Sequence, residues 1–484
     1  MIFENGQMTF SQRTAVISLL HKKGDETSLK NYHPISLTNT DYKIITFIFA
    51  KRLQRVVGNI TCINEHQSAY IKGRYIGENA RIIVDILDHC EENNSDGILL
   101  FLDFEKAFDS IEWNFLFKTL EKYHFKQNFI KWMKILYKNP IFRLKNNGWI
   151  SKTCPMSRGI RQGCPISAIL YLFVADILAL KIKNNDQIIG IKTSNFSKEY
   201  KHVHHADDLT LFLKNIDSLK EALKTIKDFS KRAGSRLNVD KTECILTGGL
   251  QQYVEKIEGI KINTSTVKCL GIHIGINKDE CYKNNWVDKS EKMKKLFETW
   301  KKRKLTIFGK IEIINTLGIS KFLYVASILP LPNENFIKGL NRTIFNFLWG
   351  TKDRIKRQTM IGKIEDGGIG IVDILSKFCA LKAAWIPRIL KKDGHNLIYS
   401  HIDSILKTYN VNLEYVLKMN CTDLKQFNAY PKLPIFYREV LIYFNQCKKN
   451  SHLQDMNKNE ILQEPIWNNK LFLFKDQPNT LKTG

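Results

Sequence analysis

At 484 residues the chain has length for roughly two to four domains, and its 43% apolar and 25% charged content is that of an ordinary globular protein. Its 74 Lys and Arg against 48 Asp and Glu leave a formal charge of +26, which favours a polyanionic partner, nucleic acid ahead of an anionic membrane surface. The longest apolar stretch, 166–180, is broken by Asp176 and is shorter than the about 20 residues a membrane span needs, so no membrane partner is expected.

The opening MIFENGQMTF lacks a basic-then-apolar signal pattern, so the ten cysteines read as reduced thiols; none stands at Cys-x-x-Cys or zinc-finger spacing, Cys421 and Cys447 included. Residues 1–35 are mixed, with a basic turn at His21-Lys22-Lys23-Gly24-Asp25. Ile44, Ile45, Ile48, Leu53 and Val56 share one side of a helix over 41–57, and 79–90 reads as a second helix. The apolar run GILLFLDF predicts a strand at 97–104, followed by a helix from about Ser110, as N-cap, to Tyr123. Pro165 suits the first turn of an apolar helix ending near Ile182. A hairpin is predicted over 203–213, then a helix capped by Asp217 and ended by Gly234. Short strands are expected at 236–239, 242–246 and 267–274. Beyond about 285 the pattern turns helical. The lysine-rich stretch 289–304, with Leu296, Phe297 and Trp300, suits a solvated amphipathic helix or one laid along phosphates. Strands interleaved with helices over 97–275 predict an α+β domain with a mostly antiparallel sheet.

His205-Ala206-Asp207-Asp208 carries the chemistry. Two adjacent carboxylates at a hairpin tip repel each other if they are buried together, unless a divalent cation sits against them. Asp103 ends the neighbouring strand and offers a third, making a clamp suited to phosphoryl transfer. Taken alone, the pair reads as well as ordinary turn residues. His202, His204 and His205 with Asp207 also suggest a transition-metal set, but strand alternation puts His205 on the opposite face from the other two.

Five segments in order resemble the reverse transcriptases of non-LTR (LINE-type) retrotransposons. They are NYHPISL at 31–37, FLDFEKAFDSIEW at 101–113, GIRQGCPISAILYLFVADIL at 159–178, HADD at 205–208, and SRLNVDKTE at 235–243 with KCLGIHI at 268–274. LTIFGKIEIINTL, FNFLWG, GGIGI and PIWNN resemble the segment downstream of the polymerase in these elements. The resemblance implies an α+β right-hand polymerase with an antiparallel palm sheet, α/β fingers and a helical thumb. It places fingers and palm at 1–275, thumb at 276–345 and a C-terminal helical region at 346–484. It implies RNA-templated addition of dNTPs to a DNA primer 3′-hydroxyl, with two Mg²⁺ ions, or Mn²⁺, held by Asp103, Asp207, Asp208 and the Phe104 carbonyl.

Further roles come with the resemblance. Phe108 lies under the incoming sugar and excludes a 2′-hydroxyl. Arg161, Gln162 and Gly163 border the nucleotide, with Gly163 allowing close backbone approach. Lys22, Lys23 and His33 lean on the triphosphate from the fingers. Lys241 approaches the leaving pyrophosphate, and Cys269–Ile272 belongs to a primer-holding hairpin. Asp109 caps the next helix or orients the site.

Two positions depart from the family pattern. His205 replaces the usual Tyr or Phe, and His33 replaces an Arg that clamps the triphosphate with a permanent charge. An upstream endonuclease and a C-terminal Cys/His knuckle, usual in the family, are not visible. The chain is therefore expected to be a fragment or decayed copy of a longer element protein, with nicking supplied by a missing upstream domain or another protein. An inactive RNA- or DNA-binding remnant and a group II intron-type reverse transcriptase are the alternatives. A nuclear or cytoplasmic ribonucleoprotein location is implied by the resemblance alone.

Overall fold

The computed structural model describes residues 2–22, 24–59, 63–192, 199–252, 259–260, 262, 265–350, 353–362, 364–390, 397–419, 424 and 430–449. Lys23, Cys421 and PIWNN fall outside them. The chain divides into two compact units, one of 1–79, 83–192 and 199–270, the other of 80–82, 193–198 and 271–484.

The first unit contains, in chain order, β1 (Thr14–His21), β2 (Tyr32–Thr38), α1 (Thr40–Asn59), α2 (Ile76–Glu92), β3 (Gly97–Leu102), α3 (Trp113–Lys122) and α4 (Gln127–Leu136). Next come β4 (Ile141–Asn146), β5 (Trp149–Ile150), β6 (Cys154–Pro155), α5 (Ser167–Lys183), β7 (His202–His205), β8 (Asp208–Leu213), α6 (Ile216–Ala233), β9 (Glu243–Thr247) and β10 (Thr266–Cys269). One sheet runs β9-β3-β8-β7 and is antiparallel throughout. A second, mixed sheet runs β2-β1-β4-β5, with β6 also on β4; β1 and β4 are its parallel pair.

The reason for β3 is plain in its composition. GILLFL is apolar at every position because both faces are covered, and all six residues are buried. Full burial of side chains such as Ile98, Leu99 and Leu100 stabilises the fold by about 1.5–3 kcal/mol each. α5 is likewise apolar all round and packs inside the same core, with Leu170, Leu172, Phe173 and Val174 at 1% exposure or less. Its one carboxylate, Asp176, accepts hydrogen bonds from the Tyr123 hydroxyl and the Asn64 amide, which is how a buried acid is tolerated there.

Four local expectations are corrected. Ser110 is not an N-cap; its hydroxyl donates to Ala107 O, and α3 begins at Trp113 after the extended Glu112. Asn215, not Asp217, caps α6 by accepting from Ser218 N, while Gly234 does end the helix at φ 82°. Residues 236–239 form no strand; Leu237 alone bridges to Phe104, and a 3₁₀ turn comes next. The single strand expected at 267–274 is two, broken by Leu270 and Gly271 at positive φ.

The second unit is helical after β11 (Ile272–Gly275). It contains α7 (Asp288–Lys301), α8 (Ile307–Ile313), α9 (Ser320–Ile328), α10 (Glu334–Trp349), α11 (Ile374–Ala383) and α12 (Ile435–Lys449). α8 and α9 run on through a π-helical turn, and 307–328 is long and apolar enough to cross a membrane; half of that window is buried inside the protein, including Ile314, Phe322 and Val325. The C-terminal carbonyls of α9 are met by buried donors: Trp385 Nε1 bonds Ser327 O at 2.6 Å, and Lys382 Nζ bonds Leu329 O. Lys382 also pairs with Glu439 at 3.1 Å. Burial still pulls its ammonium down to about 7, with Glu439 acting against that shift.

Candidate active site

The antiparallel pairing of β3 with β8 runs to Leu102↔Leu209, so one further step sets Asp103 opposite Asp208. Asp207 occupies the two-residue turn between β7 and β8 beside Ala206, whose φ of 56° is strained for a residue with a Cβ. Gln67 holds that turn. Its fully buried side chain accepts from Ala206 N at 3.0 Å and from Ala69 N at 2.9 Å. Asn79 adds a bond to His204 O at 2.8 Å, and Ser68 N donates to the same carbonyl. The segment 64–70 is thus tied to β7 by one isolated parallel bridge, Gln67 to His204, beside the turn that carries Asp207.

The three carboxylates feel one another. Burial raises Asp207, and Asp103 raises it further, while Lys22 and His33 pull the other way. Asp208 reaches solvent, yet the surrounding protein, then Asp207 and Asp103, push it up to about 6. These are hard oxygen donors whose mutual repulsion a divalent cation would relieve, so the donor set fits Mg²⁺ or Mn²⁺. As they stand they are not drawn together around one point: among the described residues no group of three His, Cys, Asp or Glu side chains is arranged to hold a metal ion.

The histidines separate as alternation requires. His202 and His204 are buried, with ring centroids 5.6 Å apart, and Nδ1 and Nε2 of His202 and Nε2 of His204 have no hydrogen-bond partner. Burial holds both rings neutral, His204 down to about 3. His205 lies on the other face, where its Nδ1 meets the Ser68 hydroxyl at 2.9 Å; burial lowers this ring too.

The β1–β2 hairpin brings Lys22 and His33 towards the carboxylates, close enough for both to act on Asp207. Burial and Lys22 keep His33 towards its neutral form, against the pull of Asp207. Lys241, on the 3₁₀ turn after Asn238, lies 4.0 Å from Asp103 Oδ2 and is well exposed. The Asn238 amide meanwhile donates to the Asp103 backbone carbonyl, tying the 235–243 segment to the end of β3.

Phe108 is half-buried and stacks on Tyr171 of α5, with ring centroids 4.4 Å apart and 25° between planes. Gln162 donates from Nε2 to Asp109 Oδ2 at 2.9 Å, and its backbone carbonyl accepts from Ser36 N of β2. Asp109 therefore orients Gln162 and caps no helix; burial raises it to about 6. Gly163 has φ 94°, and a Cβ there would lie 2.8 Å from Ser36 O, so the close approach between the 161–163 turn and β2 requires glycine. Arg161 turns its guanidinium inward. It is 2% exposed, bonds Arg13 O at 2.6 Å, and lies over the Tyr42 ring, so it braces the turn from inside.

Three residues of the site carry no signal in the sequence. Gln67 sits in an unremarked loop, and Tyr171 is one apolar-helix residue among many. Tyr70, at φ 55° and 48% exposed, is raised by burial and then by the nearby Asp207. A small apolar cavity lies under the hairpin, lined by Phe104, Ile111, Tyr171, Leu178, Leu209 and Phe229.

Known proteins resemble this chain in sequence. The model of the family described as reverse transcriptase (RNA-dependent DNA polymerase) matches residues 20–274. The "Transposon TX1 uncharacterized 149 kDa protein" of Xenopus laevis is 29% identical over 396 residues, which cover 81% of this chain and 30% of that protein. The "Retrovirus-related Pol polyprotein from type-2 retrotransposable element R2DM" of Drosophila melanogaster is 27% identical over 243 residues, 50% of this chain and 22% of that protein. The chain thus spans less than a third of either relative. Among solved structures, apo telomerase from Candida tropicalis gives a TM-score of 0.44 at 11% identity, over 82% of this chain and 70% of that one.

Proposed function

The chain belongs to the reverse transcriptase family, and from that membership we propose that it is the RNA-directed DNA polymerase of a LINE-type retroelement, adding deoxynucleotides to a primer 3′-hydroxyl along an RNA template. The observation that carries the reading is that Asp103, Asp207 and Asp208 stand at the adjoining ends of two paired strands, the last two raised by burial and then by neighbouring carboxylates. The two transposon relatives support the element type.

On this reading Asp103, Asp207, Asp208 and the Phe104 carbonyl would hold two Mg²⁺ or Mn²⁺ ions. When bound, these supply charge neutralisation at the reacting phosphate and activation of the hydroxyl. The chain's own residues do the placing. Lys22 and His33 meet the triphosphate from the β1–β2 hairpin. Phe108, backed by Tyr171, stands where a ribose 2′-hydroxyl would project. Gln162, steered by Asp109, meets the nucleotide, and Lys241 gives a proton to the departing pyrophosphate. The partners are template RNA, a DNA primer and dNTPs, with strand nicking supplied by another domain or protein. A nuclear or cytoplasmic ribonucleoprotein setting goes with this activity.

His33 supports a second reading, a nucleic-acid-binding remnant without polymerase activity. A partly buried imidazole held towards neutrality gives the triphosphate less than an arginine fork would. The two readings part on Asp207→Ala. A polymerase loses primer extension in this variant and keeps template binding; a remnant shows no incorporation in either form. Undiminished extension by the variant contradicts the assignment.

A further inference from the structure

α4 carries Lys131 and Lys134, and Lys138 follows its cap residue Tyr137. Spaced three and four residues apart, the three lysines fall on one side of the helix, with Gln127 ahead of them on the same side. All four are exposed. They line a groove of about 390 Å³, floored by the buried Ile130 and Ile135 and bordered by Gly6, just past the short helix Ile2–Asn5. That volume suits a small ligand.

Lysines on an exposed helix side are usually only solvated. Here two of the three are held in place. Lys131 Nζ lies 4.2 Å from the centroid of the Phe3 ring, which itself stacks on Trp132, and Lys138 Nζ donates to Gly6 O at 3.2 Å. Lys134 stands 3.8 Å from Glu121, an exposed pair that offsets its charge only in part. Among the described residues no carboxylate lines the groove. The carbonyl end of α4 adds roughly half a negative charge, which three ammonium groups outweigh.

The groove is separate from the carboxylate site. Ile130, Met133 and Leu136 of α4 share one apolar core with Leu209, Leu211 and Leu213 of β8. Alternation turns Asp208 to the opposite face of that strand. α4 therefore backs the sheet, away from the side that carries Asp208.

We infer that this groove is a second anion site, which takes a compact polyphosphate without a nucleoside. Seven helical residues separate Lys131 from Lys138, so the cations cover roughly 10 Å, and closely set phosphates are needed to meet them all. Ammonium groups act on phosphate as point charges, so charge density and not shape selects the ligand. No aromatic ring lines the groove, so a base would find nothing to stack on. A concave site of this size also excludes the width of a nucleic-acid duplex. The inference stands apart from the polymerase reading.

The test is isothermal titration calorimetry of the full chain with inorganic tripolyphosphate and with inositol hexakisphosphate, in EDTA so that no metal ion bridges either probe to the carboxylates. One-to-one binding of at least one probe is expected, and which of them binds tells a linear from a ring-borne polyphosphate. Lys131→Gln with Lys138→Gln should weaken that binding about tenfold or more, the loss expected when charge-assisted contacts are removed. Lys131→Arg with Lys138→Arg should keep it, and Lys22→Gln should leave it unchanged. Binding of neither probe, equal affinity in the glutamine pair, or a loss in Lys22→Gln overturns the site. Loss of duplex RNA binding in the glutamine pair, with polyphosphate binding intact, would make the groove an RNA surface instead.

Discussion

Phe108 lies on Tyr171 with 4.4 Å between ring centroids, and this stack makes a rigid wall out of a residue that alone would be a mobile ring at the site's edge. On the proposed reading, the sugar-excluding role is shared by these two residues. Phe108→Val should raise kcat/KM for ribonucleotides relative to deoxynucleotides, about tenfold for each 1.4 kcal/mol of lost discrimination. Tyr171→Leu keeps Phe108 but removes its support, and should give a smaller shift in the same direction. Steady-state kinetics with matched dNTP and rNTP check both; unchanged discrimination in Phe108→Val would mean that the wall does not select the sugar. Asp109 and Gln162 show the same economy, since a half-buried carboxylate raised to about 6 is kept where it accepts a hydrogen bond from the amide it aims.

At the scale of elements, the β7–β8 hairpin depends on a segment far from it in sequence. Gln67 bonds the strained Ala206 turn that carries Asp207. Gln67→Leu removes two buried acceptor contacts, at a cost of about 1–3 kcal/mol each where a donor is left unpaired, and should lower kcat well before it weakens template binding. Loss of binding in step with kcat would mean that the loop serves the fold at large. The sequence showed the elements of this site better than their joints. GILLFL reads as a buried strand because every residue is apolar, and LTLFL reads as its partner, so the opposed carboxylates were legible. The Gln67 contact was not, because a polar residue in a loop gives no periodic signal and its partner lies at residue 206. Ser110 misled because a serine before a helical pattern usually caps it; here the chain at 105–112 is committed to Arg236, Lys106 and Ala233, which delays the helix to Trp113. Arg161 misled because motif position says nothing about which way a guanidinium turns, and its fork points to Arg13 and Tyr42.

For the whole molecule, the buried histidines couple folding to pH. His202 and His204 are lowered by burial, His204 to about 3, whereas an unfolded histidine titrates near 6.5. Below about pH 6.5 the unfolded chain takes up protons that the folded one refuses, so stability present above that pH is lost as pH falls towards 3, by up to about 1.4 kcal/mol per pH unit for each histidine. Thermal melting should therefore drop between pH 7 and pH 5, and His202→Leu with His204→Leu should flatten the drop; an unaltered slope would place the acid sensitivity elsewhere. The charge of +26 acts at the same scale, drawing a polyanion to the chain whatever its sequence. Binding of RNA is accordingly a weak test of function, and incorporation is a strong one.

Primer extension on a primed RNA template with Mg²⁺ and dNTPs, run beside Asp103→Asn, bears most directly on whether the three carboxylates make a working polymerase. Extension by the unmodified chain, its loss in the variant, and equal template binding by both are expected. Extension that survives in Asp103→Asn, or no extension by the unmodified chain while template binding is intact, would contradict that assignment.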